Sequence, residues 1–410
     1  MSLPLPLPAL PPPPTPLCPH FGECGGCLTQ DVPYPEQVAR KQAALTELFR
    51  EVWPGPLPVA PSPRVWYYRN KIELKYDRRH YPEPPPKDFV RETVLGFRRR
   101  NRWNITLDLA ECRLFAPELP ALLARLGAWQ RAAGVPHYQP RRDVGCLRHL
   151  VLRAGQRTGE RLACLITAPG PFNAPPFVAA VHAAWPGASV LRGEHAGVND
   201  MAVAETIEVL AGQPCVHEEL VIPGPAGERH LRFRIPPFGF FQVNPGAVEL
   251  LYGAIRAGVR ERPPARLYDL YGGAGAIALV CADLCGDIVS VDSFPAAAAD
   301  GATNLALDGV THVQMVTAPV EDWLPAATLD PAATAVLDPP RQGLHPRVVE
   351  TLVNRGPREL FYVSCHPEAL ARELPLLLAA YRLTSLAAFD LFPHTPHVEL
   401  LARLERRMAT

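Results

Sequence analysis

At 410 residues the chain is too long for one ordinary hydrophobic core, and its 48% hydrophobic and 20% charged residues are typical of a globular protein with two domains. The sequence shows neither an apolar run that could cross a bilayer nor the pattern of an export signal, so we exclude a membrane or secreted protein and expect a cytoplasmic one. The 41 Lys and Arg balance the 41 Asp and Glu, but residues 64–160 hold 20 basic and 10 acidic residues, which indicates a phosphate-bearing partner.

The N-terminal part of the chain combines a proline-rich stretch with a cysteine cluster. Residues 1–17 carry so many prolines that we predict a disordered tail. Residues 18–60 form the next segment, with a helical pattern from Pro35 to Val52. Within it, Cys18, Cys24 and Cys27 follow the spacing C-x5-C-x2-C. A reducing cytosol does not sustain disulfides, so these cysteines predict a metal or iron-sulfur site that needs a fourth ligand.

Residues 61–235 are predicted to form an α+β domain rich in antiparallel strands. Runs such as YYRNKIELKY and CLRHLVLRAG alternate in the manner of strands and outnumber the helical patterns. The domain also carries Arg69, Lys71, Lys75 and a basic cluster from Arg98 to Trp103, which combine positive charge with an aromatic platform for a nucleic acid. A solvated hairpin is the alternative interpretation of that cluster.

Residues 236–410 alternate between strand and helix patterns, which predicts a doubly wound α/β domain with a parallel sheet. We place its strands at the runs ARLYDLY, GDIVSVD, HVQMVT, TAVLD, ELFYVS and LAAFDLF. The first strand leads into a glycine turn with Gly273 and Gly275, and the second ends at Asp292, where a carboxylate can bind a ribose. This turn alone also fits a dinucleotide-binding dehydrogenase.

The ends of the fourth and fifth strands favour a methyltransferase over a dehydrogenase. The fourth ends in Asp338-Pro339-Pro340-Arg341, a stiff acidic loop that hydride transfer does not need and that nucleic-acid methyltransferases commonly carry. The fifth ends at Cys365, followed by His366 and Pro367, which opens a helix. A helix N-terminus favours the thiolate, so Cys365 is a candidate nucleophile, although a lone cysteine at a strand end is often only a small buried hydrophobe.

A second reactive group is predicted 34 residues after Cys365, in the segment FPHTPHVE. Glu399 stands there in an otherwise apolar run, either as an exposed charge or as a carboxylate at the mouth of the site. The two groups suit uracil chemistry, because a thiolate that adds to carbon 6 makes carbon 5 nucleophilic, and a base must later remove the carbon 5 proton. A cytosine-5 methyltransferase of RNA would explain most of these residues but not the glutamate. An inactive iron-sulfur RNA-binding protein is a further alternative, but it would give Cys365 and Glu399 no role.

The chain resembles the bacterial family of RNA uracil-5 methyltransferases, which act on 23S rRNA and tRNA. The matching segments, in family order, are CPHFGECGGC, YRNK, FFQVNP, DLYGGAG, LDPPRQG, YVSCHP and FPHTPHVE. The resemblance implies a Rossmann-like domain that binds S-adenosylmethionine, with Cys365 as nucleophile and Glu399 as base. It implies cofactor contacts by Gln242, Tyr271, Asp292 and Asp338, with Gly273 and Gly275 in the turn; packing beside Asn244, the N-cap of the next helix, is the alternative for Gln242.

The same resemblance implies the metal group and the RNA partner. Cys112 becomes the fourth ligand of a 4Fe-4S cluster held with Cys18, Cys24 and Cys27, and zinc is the alternative. The motif CPHFGECGGC favours 23S rRNA, with the tRNA T-loop as the alternative. Many relatives carry a small β-barrel RNA-binding domain before the cysteine motif, but only 17 residues precede Cys18 here, so we expect the middle domain to hold the RNA. We also expect a monomer. The chain departs from the family at Gly272, Ala276 and His366, where Cys, Asn and Asn are usual, which leaves the detail of the cofactor contacts open.

Overall fold

The computed structural model of the chain describes residues 17–86, 89–223 and 227–407. The predicted tail at residues 1–17 lies outside this range except for Leu17. Within it, no helix is long and apolar enough to cross a membrane.

The segment after the tail folds into turns that carry the cysteines, then into helix α1 (Tyr34–Phe49) and the short strand β1 (Val59–Ala60). The helix confirms the predicted helical stretch, although it ends three residues before Val52. Every fourth residue of α1 is buried, and the first two are polar: Gln37, Lys41, Leu45 and Phe49. Two polar side chains on the buried stripe need partners inside the protein, because a buried polar group without a hydrogen bond is costly.

The middle of the chain contains ten strands and two helices within the described residues. In chain order they are β2 (Lys71–Arg78), β3 (Thr93–Gly96), β4 (Arg98–Arg99), β5 (Arg102–Thr106), α2 (Leu119–Ala133), β6 (Leu147–Ala154), β7 (Arg161–Thr167), α3 (Ala174–His182), β8 (Ser189–Glu194), β9 (Thr206–Ala211), β10 (Val216–Ile222) and β11 (Arg229–Ile235). Six of these strands form one sheet in the order β3-β2-β6-β7-β8-β9, which is antiparallel except between β7 and β8.

Both faces of the six-stranded sheet are buried at its centre, in β6 and β7. Helices α2 and α3 cover one face, where Leu122, Leu126 and Phe177 pack against the strands. On the other face, Val151 and Cys164 belong to a core that also includes the β10–β11 hairpin and helix α4. All eight residues of β6 are buried, including the polar Arg148, His149 and Arg153.

The C-terminal part is a doubly wound α/β unit. Its elements are α4 (Pro245–Glu261), β12 (Arg266–Leu270), α5 (Ala276–Cys281), β13 (Asp287–Asp292), α6 (Pro295–Leu307), β14 (Val313–Thr317), α7 (Val320–Ala326), β15 (Thr334–Leu337), α8 (Pro346–Arg355), β16 (Glu359–Ser364), α9 (Pro367–Leu377), β17 (Tyr381–Phe389) and β18 (Glu399–Arg406). The mixed α/β class and the predicted strands are confirmed, but the sequence did not predict β18.

Strand β18 lies between β16 and β17 and runs antiparallel to both. The whole sheet has the order β1-β17-β18-β16-β15-β12-β13-β14, and β1 brings the N-terminal segment into it. The strands β14, β13, β12, β15 and β16 are parallel, so their carboxyl ends lie at one edge. Because β18 is antiparallel, its first residue, Glu399, lies at that same edge.

Candidate active site

The carboxyl edge of this sheet opens into a cavity of about 1010 Å³. Of the residues predicted to bind the cofactor or to react, the cavity is lined by Gln242, Tyr271, Gly273, Asp292, Asp338, Cys365 and Glu399. Gly275 lies just behind the wall, as the N-cap of α5 in the left-handed conformation. At this edge the strand order reverses, because β13 and β14 lie on one side of β12 and β15 and β16 lie on the other. Open α/β sheets bind ligands at such a point.

The glycine turn after β12 brings its backbone close to Asp292. Tyr271, Gly273 and Gly275 have φ values of 62°, 54° and 72°. The Gly273 N–H donates to Asp292 Oδ2 at 3.0 Å, and the Phe294 N–H donates to Asp292 Oδ1 at 2.9 Å. Each carboxylate oxygen keeps a further lone pair that can accept from a ligand hydroxyl. The turn and the carboxylate can therefore hold a ribose between them.

The departure at Gly272 has a structural reason. A Cβ at this position would lie 2.1 Å from Ser290 Oγ and 2.6 Å from Asp269 Oδ2. Ser290 Oγ donates to the same Asp269 oxygen at 2.8 Å, so both side chains are fixed where a cysteine side chain would have to pass. Glycine is required here by the neighbouring serine and aspartate.

The loop after Asp338 is held from behind by Glu373 on α9. The Glu373 carboxylate accepts from the Leu344 N–H at 3.1 Å and from the Tyr362 hydroxyl at 2.5 Å. A Cβ at Gly343, whose φ is +86°, would lie 1.9 Å from Glu373 Oε1. The glycine of the LDPPRQG motif therefore admits the carboxylate that fixes the loop.

The FFQVNP segment is held by the middle domain. Asn70, in the YRNK motif, donates from Nδ2 to the Gln242 carbonyl at 2.9 Å and from its backbone N–H to the Val243 carbonyl at 2.9 Å. Asn244 accepts from the Ala247 N–H at 3.3 Å, which confirms it as the N-cap of α4. Gln242 therefore lines the cavity while its backbone is tied to the middle domain.

Three buried carboxyl groups lie close together beneath the cavity. Burial, with the neighbouring Asp269 as a smaller cause, raises the pKa of Asp338 to about 7. Burial likewise raises the pKa of Asp269 to about 6, and burial and Asp338 raise the pKa of Glu399 well above its usual value. Asp269 Oδ1 and Glu399 Oε2 are buried without a hydrogen-bond partner within the described residues. Burial therefore favours the protonated form of each acid relative to an exposed carboxyl group.

Cys365 lies directly before the N-cap of α9, as predicted, but its environment does not favour the thiolate. Burial raises the pKa of the Cys365 thiol, and the carboxyl groups of Glu399 and Asp338 raise it further. The structure therefore does not bear out the expected shift towards the thiolate, because burial and two acids raise the pKa of the thiol. Arg341 is the cation that acts in the opposite direction, since it lowers the pKa of both Cys365 and Glu399.

The loop that leads to Glu399 is fixed by helix α1. Lys41 Nζ donates to Asp390 Oδ1 at 2.8 Å and to the carbonyls of Phe392 and His397 at 3.3 and 2.9 Å. Asp390 also accepts from the Tyr34 hydroxyl at 3.1 Å. The side chains of Lys41 and Asp390 are only 7% and 0% exposed. A buried ion pair with hydrogen bonds on both sides fixes the path of the chain into β18.

His394 connects the same loop to the cysteine segment. Its carbonyl accepts from the Leu28 N–H at 2.7 Å, directly after Cys27, and its N–H donates to Gln37 Oε1 at 2.9 Å. The imidazole stacks on Trp66 with ring centroids 3.9 Å apart, and burial lowers its pKa to about 4. The neutral ring serves as a packing element between the N-terminal segment and the loop.

The four predicted cluster ligands, Cys18, Cys24, Cys27 and Cys112, line a second cavity, of about 530 Å³. His20 Nε2 accepts from the Ala110 N–H at 2.9 Å, which brings the cysteine segment to the strand connection that carries Cys112. Burial raises the pKa of all four thiols. In the part of the chain that the structure describes, no group of three or more His, Cys, Asp or Glu side chains is arranged to hold a metal ion.

Several supporting residues escaped the sequence analysis. Lys41 and Gln37 read as exposed positions of an amphipathic helix, and Glu373 reads as one acid among several in α9. The available signal was their spacing, because Gln37 and Lys41 fall on the same helical face as Leu45 and Phe49. Arg341 stood in a recognised motif without an assigned role.

Comparisons with known proteins find relatives that match almost the whole chain. Residues 187–407 match the sequence profile of the tRNA (uracil-5-)-methyltransferase family. An uncharacterised RNA methyltransferase of Nitratidesulfovibrio vulgaris is 33% identical over 96% of this chain and 83% of its own length. The tRNA (uracil(54)-C(5))-methyltransferase of Pyrococcus furiosus is 30% identical over 95% of this chain and 85% of its own. The crystal structure of the Pyrococcus abyssi tRNA (uracil-54, C5)-methyltransferase with S-adenosyl-L-homocysteine superposes with a TM-score of 0.75 at 27% identity, covering 94% of this chain and 86% of that one.

Proposed function

This chain belongs to the tRNA (uracil-5-)-methyltransferase family and is an S-adenosylmethionine-dependent RNA uracil-5 methyltransferase, and we propose that it works through a covalent Cys365 adduct with Glu399 as the base. Family membership removes the cytosine-5 enzyme and the inactive RNA-binding protein from the alternatives. The observation that carries the mechanism is the convergence of Cys365, Glu399 and Asp338 on one cavity beside the glycine turn.

The cavity suits S-adenosylmethionine, whose sulfonium supplies an electrophilic methyl group. Asp292 and the backbone at Gly273 and Gly275 would hold the ribose and the nearby chain, and Tyr271 lines the same wall. Gln242, in the loop before α4, and Asp338, directly after β15, line the same cavity. The cavity of about 1010 Å³ exceeds what a small ligand needs, which leaves space for a uracil ring beside the cofactor.

The reaction requires Cys365 and Glu399 to release their protons to solvent as RNA binds. Burial raises the pKa of both groups in the free enzyme, and Arg341, which lowers the pKa of both, is placed to stabilise the thiolate and the carboxylate. The thiolate then adds to carbon 6 of the uracil and makes carbon 5 nucleophilic. After the methyl group has arrived, Glu399 accepts the proton from carbon 5, and the thiolate leaves carbon 6.

We also propose that the four cysteines hold a 4Fe-4S cluster. The support is the chemistry of the ligand set, because four thiols from two distant parts of the chain face one cavity that the glycine pair Gly25-Gly26 also lines. Four thiolates are the usual ligands of such clusters. Anaerobically purified protein should contain about four iron and four sulfide per chain, and Cys112→Ser should lose both. Stoichiometric zinc in colourless, folded protein would contradict the proposal.

For the RNA target we propose 23S rRNA, with the T-loop uridine of tRNA as the second candidate. The cysteine motif supports the first, and the tRNA methyltransferases among the relatives support the second. Mass mapping of 23S rRNA and tRNA from a deletion strain tests both. Loss of 5-methyluridine from 23S rRNA alone is the expected result, and its loss from the T-loop would transfer the assignment to tRNA. Unchanged 5-methyluridine in both RNAs would contradict the proposed targets.

A further inference from the structure

A single carboxylate on the middle domain is surrounded by nitrogen donors. Lys75 Nζ lies 2.8 Å from Asp200 Oδ2, Arg98 pairs with the same oxygen, and His149 Nε2 lies 3.3 Å from Asp200 Oδ1. Lys75 and His149 face each other across β2 and β6, while Arg98 belongs to β4. Three donors from three strands thus converge on one anionic group.

The surroundings of this cluster are positively charged. Burial and then the charges of Lys75, Arg148 and Arg98 lower the pKa of His149 to about 3, so the ring that lies beside Asp200 is neutral. Asp77 is the other nearby acid, at 3.4 Å from Lys75 Nζ, but it also accepts from the Thr106 hydroxyl. Without Asp200 the cluster would lack its closest negative charge. Such a cluster is an anion site.

Asp200 reaches the cluster from the tip of the loop between β8 and β9. The backbone of this loop is fixed as far as the residue before Asp200, because His195 contacts Glu205 at 2.7 Å and Arg148 donates to the Asn199 carbonyl at 2.6 Å. The Asp200 side chain is 37% exposed, so rotation of this side chain alone would open the cluster. The pair between Arg98 and Asp200 is exposed at both partners, at 38% and 37%, and such a pair contributes little stability. A phosphate that makes the same contacts can therefore replace the carboxylate.

The cluster is connected to the active site through shared elements. Ile207, in the strand that follows the loop, lines the active-site cavity. Arg98 lines the cysteine cavity, which shares Phe240 and Phe241 with the active-site cavity.

We propose that Lys75, Arg98 and His149 form a binding site for one RNA phosphate, which the Asp200 carboxylate occupies until RNA displaces it. The proposal rests on the proposed function, because it takes RNA as the anion. The same donors match a phosphate, since its oxygens accept charge-assisted hydrogen bonds from lysine and arginine and a further one from a neutral imidazole. Because Asp200 competes with RNA for the same donors, it weakens RNA binding.

The test compares Asp200→Asn with the intact enzyme in binding a short, fluorescein-labelled, uridine-rich RNA by fluorescence anisotropy. Binding should tighten by about fivefold, the size expected when exposed ion pairs no longer compete. The slope of log K against log salt should steepen by about 0.7, as for one more phosphate contact on a single strand. Arg98→Gln should weaken binding more in the Asp200→Asn background than in the intact enzyme.

The matched control is Glu92→Gln, which makes the same charge change at a carboxylate that pairs with Arg79 away from the cluster. Equal tightening by both variants would mean a general charge effect and would overturn the site. Unchanged or weaker binding by Asp200→Asn and by Asp200→Ala, with unchanged melting temperatures, would also overturn it. If the enzyme methylates uridine but Asp200 has no effect, only this inference fails. If Asp200→Asn tightens binding and no RNA is methylated, the proposed function fails instead.

Discussion

The buried ion pair between Lys41 and Asp390 should govern both stability and the placement of Glu399. Lys41→Met leaves the Asp390 carboxylate fully buried, with the Tyr34 hydroxyl and the Phe392 N–H as its remaining partners. Breaking one side of a buried pair costs about 3–5 kcal/mol, and we expect about 3 kcal/mol because those two donors remain. Urea unfolding of the two proteins measures the loss.

The same substitution should slow the last step of the reaction in protein that is still folded. Lys41 also donates to the Phe392 and His397 carbonyls, so its loss releases the loop before Glu399, and the methylated adduct should persist longer than in the intact enzyme. Adding Asp390→Asn should recover most of the stability, because no unpaired charge remains. Arg40→Met is the control, since Arg40 forms an exposed pair with Glu36 on the same helix and should cost at most about 0.5 kcal/mol. Equal losses for Lys41→Met and Arg40→Met would refute the reasoning.

Two further predictions concern the floor of the cavity. Gly272→Ala places a Cβ against Ser290 Oγ and should lower the free energy of unfolding by about 1–3 kcal/mol. Adding Ser290→Ala should recover part of this loss. Urea unfolding that shows no loss for Gly272→Ala would mean that the turn can move. The folded Asp338 carboxyl, with its pKa raised to about 7, keeps a proton that the unfolded chain loses near pH 4, so its contribution to the unfolding free energy falls as the pH rises from about 4 to about 7. Asp338→Asn should flatten that slope by up to about 1.4 kcal/mol per pH unit, and an identical slope in both proteins would place the proton elsewhere.

The catalytic edge of the sheet could be predicted from the sequence because buried parallel strands read as short apolar runs that end in polar residues. Asp292, Asp338 and Cys365 each follow such a run, and all three line one cavity. Strand β18 escaped prediction because strand order in a sheet depends on tertiary pairing. Its insertion between β16 and β17 nevertheless decides that Glu399 reaches the cavity.

The electrostatics of the site could not be read from local patterns. A helix N-terminus predicted a stabilised thiolate at Cys365, but the pKa of this thiol depends on burial and on Glu399 and Asp338, which come from other strands. In the same way, Lys41 looks like a solvated lysine until Asp390, 349 residues away, is placed beside it. Properties that arise from summed tertiary contacts need the structure.

The measurement that tests the mechanism most directly is the covalent RNA adduct on a denaturing gel. Glu399→Gln, incubated with substrate RNA and S-adenosylmethionine labelled in the methyl group, should give a slow band that contains both RNA and label, because attack and transfer proceed while proton removal is slowed. Cys365→Ala should give no band, and the double variant should behave like Cys365→Ala. An adduct that forms without Cys365 would contradict the account and place the nucleophile at another residue.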